Sequence, residues 1–173
     1  MKERTIIVNG VSKAYAMTGW RIGYIAAPEW IVKGCNKLQG QYTSGPCSVS
    51  QKAAEFAYTQ SQECVEQMRQ AFERRRNLIV ELAKNIPGLE VNVPEGAFYL
   101  FPKCSSFFGK SDGEKTINNS TDFAMYLLEK GHVATVGGDA FGDPNCFRMS
   151  YATSDDNIRE AMRRIAEVLA KLK

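Results

Sequence analysis

The sequence predicts an α/β chain in two parts joined by one long helix. Three observations carry this. Short β-branched runs alternate with helical stripes along the whole length. Between Gln62 and Ile86, apolar residues recur at steps of three, four or seven, which draws one stripe on a helix. The texture then differs on the two sides of that stripe: a strand pair and helices before it, a tight α+β alternation after it.

Arg4–Asn9 (RTIIVN) reads as a short buried strand broken by Gly10, and Arg21–Ala27 (RIGYIAA) as the returning strand. Pro28 ends it, and Glu29–Leu38 starts a helix. Ser44-Gly45-Pro46 is a turn. Ser48 is placed to cap a helix through Tyr58. The long helix carries Val65, Met68, Phe72, Ile79, Leu82 and Ile86 on one face, and Pro87-Gly88 stops it. Leu89–Val93 and Ala97–Phe101 read as strands about the turn Pro94–Gly96. Cys104–Asn119 is polar and reads as a surface excursion.

Thr121–Lys130 reads as a helix closed by Gly131. Val133–Val136 and Cys146–Tyr151 are strands around a glycine-rich turn, GGDAFGD. Ser154 caps the last helix, with Asp155 and Asp156 where the helix dipole favours acids. Ile158, Met162, Ile165, Leu169 and Leu172 form its buried stripe. The resulting division is 1–61, a connecting helix over 62–86, and a small α+β domain over 87–173. The two strands of the first part have no further partners there, and a two-stranded ribbon does not stand alone.

Composition excludes several classes. Of 173 residues, 44% are apolar and 24% charged, which rules out collagen-like and disordered chains. No run approaches the ~20 apolar residues of a membrane helix, and the N-terminus lacks a secretory pattern. A net charge of +3 is too low for a dedicated nucleic-acid binder. Arg74-Arg75-Arg76 reads as a solvated helix face. The aromatics Phe98, Tyr99, Phe101, Phe107 and Phe108 read as core or local packing. Five widely spaced cysteines contain no CxxC pair, and they read as free thiols of a reducing cytoplasm. His132, the only histidine, leaves no polyhistidine metal site and reads as structural.

The segment Ser12–Tyr24 (SKAYAMTGWRIGY) carries the chemistry. Lys13 lies in a turn after the first strand, and Arg21 opens the second. Across a hairpin the two cations can point into one pocket, which then wants an anion. A nearby like charge also disfavours an ammonium, so a lysine placed there is a candidate nucleophilic amine for a carbonyl. An arginine there can hold phosphate or carboxylate through its fork. Spacing alone favours the plainer alternative of a solvated lysine and an arginine in a surface salt bridge. Arg148, taken alone, likewise reads as a strand-end arginine paired with a surface acid.

The string SKAYAMTGWRIGY closely resembles the pyridoxal-phosphate lysine signature of class I aminotransferases, in the branch that includes bacterial aspartate aminotransferases. PEGAFYLF (Pro94–Phe101) is similar to that family's small-domain strand. GGDAFGDPNCFRMSYATS (Gly137–Ser154) resembles its glycine turn and carboxylate-binding arginine. The three motifs stand in the family's order and span most of the chain. The resemblance implies the C-terminal part of a fold type I pyridoxal-phosphate enzyme: the last hairpin of the large cofactor domain, the connecting helix and the small domain. It implies Lys13 as the Schiff-base lysine, Arg21 as the phosphate clasp and Arg148 as the ligand of the substrate α-carboxylate. Thr43–Pro46 would lie near a partner subunit's active site.

Many relatives carry a phosphate-binding serine three residues before the lysine; this chain has Gly10 there, and Ser12 is a weak substitute. The resemblance further implies an amino acid substrate, aspartate first, a 2-oxo acid acceptor, a cytoplasmic homodimer, and no nucleic-acid or membrane partner. The family's acid for the pyridine nitrogen, its ring-stacking aromatic and its glycine-rich phosphate loop precede the matched region. An isolated C-terminal fragment is therefore expected to be inactive. A different class of reading, a non-catalytic interaction module that keeps the small-domain fold, stays open here.

Overall fold

The computed structural model describes residues 1–173. The chain divides into two compact units, Met1–Met68 and Arg69–Lys173, with the division inside a helix.

In the first unit, β1 (Ile7–Gly10) and β2 (Gly23–Ala26) form an antiparallel ribbon with Ile7 opposite Ala26 and Gly10 opposite Gly23. The first strand begins later than the β-branched run suggests, because Lys2–Arg4 winds into a 3-10 turn. Nor is it buried: Val8 keeps 76% of its surface. A ribbon of two strands has no third strand here to cover its faces.

Pro28 precedes α1 (Glu29–Tyr42), which runs beyond the expected Leu38 and buries none of its residues. The turn Ser44-Gly45 has positive φ at both positions. Next comes α2 (Ser48–Thr59), in which Ser48 is the first helical residue and not the cap; Cys47 occupies the cap position. Only Val11, Ser50 and Ala54 are buried in this unit. The helix α3 (Glu63–Lys84) starts here and continues into the second unit.

The second unit holds the hydrophobic core. Ile79, Val80 and Ala83 of α3 enter it, and the helix ends two residues before Ile86. Its sheet is antiparallel in the order β3 (Tyr99–Leu100), β5 (Phe147–Ser150), β4 (Val136–Gly137). The predicted strand 89–93 shrinks to a single bridge between Glu90 and Lys103, which exchange both backbone bonds. The helix α4 (Ser120–Gly131) is capped by Asn119, whose side chain accepts from the Asp122 N–H at 2.8 Å. Its last turn is closed by His132 in the left-handed region (φ 55°), which corrects the assignment of that task to Gly131. The final helix, α5 (Asp155–Leu169), has Ser154 Oγ accepting from the Asn157 N–H at 3.2 Å. Ile158, Met162, Ile165, Leu169 and the following Leu172 are all buried.

The segment 104–119 is more than a surface excursion. Cys104, Phe107 and Ile117 are buried, and its backbone pairs Ser111 with Lys173 in both directions. Three apolar anchors suffice to pin a polar run whose average composition hides them. In the arginine triplet on α3, Arg74 stays exposed while Arg75 and Arg76 are half-buried, and Arg74 and Arg75 both bond Asp155, the first residue of α5.

Candidate active site

Two side-chain constellations stand out, one in each unit. In the first unit, Val11 is completely buried at the end of β1, and Tyr15 donates its O–H to Gln62 Oε1 at 2.7 Å while meeting the Tyr58 ring edge-on. These two anchors hold the turn between them, closed by bonds from the Tyr15 N–H to the Val11 carbonyl and from the Ala16 N–H to the Lys13 carbonyl. Lys13 sits on this turn.

The chain then passes through a 3-10 turn, Thr18–Trp20, to Arg21. Arg21 has φ 54°, a left-handed backbone that costs a non-glycine residue energy and marks a position held by its surroundings. Its Nη1 donates to the Thr18 carbonyl at 2.7 Å, which orients the guanidinium.

Lys13, Arg21 and Ser12 line one cavity of about 520 Å³, with Asn9, Gly10, Ala14, Ile22 and Gly23 completing the wall. No acid lines it. The donor set is one primary amine, one guanidinium, one hydroxyl and backbone groups: a nucleophile for an aldehyde beside two groups that bind a phosphate dianion. These residues fit pyridoxal 5'-phosphate. The glycine at position 10 has a physical cause, since a Cβ there would meet the Ile22 carbonyl oxygen at 2.9 Å where the ribbon strands approach. The hydroxyl available to an anion is therefore that of Ser12.

The second constellation surrounds Arg148 on β5. Alternation sends Phe147 and Met149 into the core and turns Arg148 and Ser150 to the other face. Tyr99 pairs with Ser150, so it shares the face of Arg148 as a diagonal neighbour. The Arg148 Cζ lies 4.3 Å from the Tyr99 ring centroid and 4.1 Å from that of Phe141, on the turn Gly138–Phe141. No acid pairs with Arg148 and no protein acceptor takes its N–H groups, which sets aside the surface salt bridge that its position on a strand suggested. A half-buried guanidinium with unspent donors is suited to an external carboxylate.

Sequence reasoning counted Tyr99 and Phe101 as packing and passed over Phe141, Ser120 and Asp139. The alternation of β3 and β5 was the available signal for Tyr99; nothing local marks the others. The metal-ligating residue types form no cluster of three or more.

Comparison with known proteins bears on both constellations. The family model described as aminotransferase class I and II matches residues 1–165. The chain is 48% identical to the aspartate aminotransferase of Rhizobium meliloti (strain 1021) over 173 residues, 99% of this chain and 42% of the relative. It is also 48% identical to the bifunctional aspartate aminotransferase and glutamate/aspartate-prephenate aminotransferase of Petunia hybrida, covering 37% of that protein. The crystal structure of the Rhizobium meliloti aspartate aminotransferase superposes with a TM-score of 0.96 over 99% of this chain and 43% of that one. An aromatic aminotransferase from Pyrococcus horikoshii gives 0.87 at 39% identity, covering 98% and 44%. The chain thus spans about two fifths of the length of the relatives it matches.

Proposed function

We propose a function from the premise that the chain belongs to the class I and II aminotransferase family, whose members depend on pyridoxal 5'-phosphate: it carries the lysine, the phosphate clasp and the carboxylate arginine of an amino acid:2-oxo acid transaminase. The observation that supports this most directly is the shared cavity of Lys13, Arg21 and Ser12.

Each residue's task follows from its chemistry. Arg21, already oriented by the Thr18 carbonyl, offers its remaining donors to the phosphate, and Ser12 adds a hydroxyl. Lys13 supplies the amine that holds the cofactor's aldehyde carbon. Once freed by the substrate's amino group, the neutral Nζ would be the base that takes the proton from the substrate Cα and holds it for return. The cofactor, when bound, supplies the electron sink for that proton transfer. Arg148 takes the substrate α-carboxylate through its N–H fork, which orients the Cα–H bond. Thr43–Pro46, an exposed turn, serves the active site of a partner subunit in a homodimer.

The substrate pair is aspartate and a 2-oxo acid; aspartate stands in the names of both relatives at 48% identity. A cytoplasmic location goes with this reading. Separately, none of the helices is long and apolar enough to cross a membrane. Turnover belongs to a full-length protein that contains this segment. The 173 residues alone turn over poorly.

Titrating the chain with pyridoxal 5'-phosphate tests the reading. A saturable visible band is expected, absent in Lys13→Ala and shifted to higher cofactor concentration in Arg21→Ala. A band that survives Lys13→Ala unchanged overturns it.

A further inference from the structure

We propose that Phe141, seated by Ser120 and Asp139, is a positioning residue that holds Arg148 ready for a carboxylate; this rests on the reading of Arg148 given above. An arginine side chain has many rotamers, and a site that must bind a carboxylate cannot fix it with an acid without using the same N–H donors. Aromatic faces solve this. They attract the guanidinium through the ring quadrupole and leave its N–H edge unspent. Arg148 shows this arrangement, with two rings near 4 Å and no hydrogen-bonded partner.

Tyr99 is fixed by the β3–β5 register. Phe141 is not on a strand, so its turn must be held separately. The Gly138 N–H donates to the Cys146 carbonyl at 2.8 Å and to Ser120 Oγ at 3.1 Å. Ser120 is completely buried and donates its own O–H to Asp139 Oδ2 at 2.9 Å, while Thr121 adds a longer bond to the same oxygen. Gly138 leaves no room for a side chain, since a Cβ would lie 2.1 Å from the Asp143 carbonyl oxygen. Phe101 then meets the Phe141 ring edge-on, with centroids 6.1 Å apart. The turn is thus tied on two sides, to the start of α4 and to the approach of β5, and its last residue is the ring over Arg148.

The test follows the side-chain Nε resonances of the arginine-labelled chain during titration with succinate. A saturable shift of Arg148 is expected, lost in Arg148→Gln. Phe141→Leu is expected to weaken succinate about five-fold, in line with a cation–π contact. Replacing Phe141 by 3,4,5-trifluorophenylalanine, which keeps the shape but drains the ring face, should weaken it about two-fold with an unchanged urea midpoint. Phe141→Trp should restore full affinity. Wild-type affinity in both the leucine and the fluorinated variants overturns the proposal while leaving the Arg148 reading intact. Absence of any saturable Arg148 shift in the wild-type chain overturns that reading, and this proposal with it.

Discussion

Ser120 and Gly138 meet across the sheet-to-helix junction: the serine hydroxyl oxygen, fully buried at the first residue of α4, accepts the Gly138 N–H at 3.1 Å and donates its own O–H to Asp139 Oδ2 at 2.9 Å. The contact joins residues eighteen positions apart and sets where the turn carrying Phe141 can lie.

Removing either partner should be costly. Ser120→Ala removes the buried hydroxyl that accepts from the Gly138 N–H and donates to the exposed Asp139; water can serve the carboxylate and the Cys146 carbonyl still holds the N–H, so a loss of about 1 kcal/mol is expected from urea unfolding. Gly138→Ala meets backbone oxygens of Asp143 and Cys146 at 2.1 and 2.3 Å, and backbone cannot step aside as a flexible side chain can. The expected destabilisation is about 3 kcal/mol, at the top of the range for overpacking.

The cap of α5 makes a smaller, separate prediction. Ser154→Ala loses the side-chain bond to the Asn157 N–H and should cost about 1 kcal/mol in the same measurement. Ser154→Asp should keep most of the stability, because an acid suits both the cap and the helix dipole.

Acid stability has a traceable contributor. Hydrogen bonds from Arg74, reinforced by its charge and by Arg75, hold the Asp155 carboxyl below the usual carboxylate range. A carboxyl lowered in the folded state stabilises the fold above its unfolded pKa, and that contribution fades as pH falls through the folded value. Carbon-detected titration should place Asp155 below 3.8, and Arg74→Gln should move it upward. Asp155→Asn should flatten the stability loss below about pH 4.

The cysteines should separate by reactivity. Cys35, Cys47 and Cys64 are exposed, whereas burial, with the neighbouring Cys146 adding to it, pushes the Cys104 thiol up to about 12. Burial and the adjacent Asp143 raise Cys146 to about 11. Backbone N–H groups of Ser50 and Val49 at the start of α2 lower Cys47. Iodoacetamide at pH 8 should therefore label Cys47 first, then Cys35 and Cys64, and leave Cys104 and Cys146 unmodified until the chain unfolds. Mass spectrometry of timed aliquots reads the order.

Much of this was legible in the chain. The stripe Ile158, Met162, Ile165, Leu169 is a periodic signal that only one helix face satisfies, and the structure buries all four. The signature around Lys13 placed the lysine and Arg21 at a hairpin, and both line one cavity. Burial of β1 was overread, because β-branched runs report a preference for cover and not whether the chain supplies it. The Arg148 surroundings were only half legible. Alternation gives Tyr99, but the bonds among Ser120, Asp139 and Gly138 are long-range and leave no local pattern. His132 as the left-handed cap also ran against expectation, since the glycine beside it is the usual choice.

The central claim concerns one amine. The chain should be mixed with pyridoxal 5'-phosphate near stoichiometry, reduced with borohydride and digested, and the modified lysine identified by mass spectrometry. The adduct is expected on Lys13 well above every other lysine, and it should fall sharply in Arg21→Ala. Modification spread evenly over surface lysines, with Lys13 no more labelled than Lys33 or Lys52, would contradict the account.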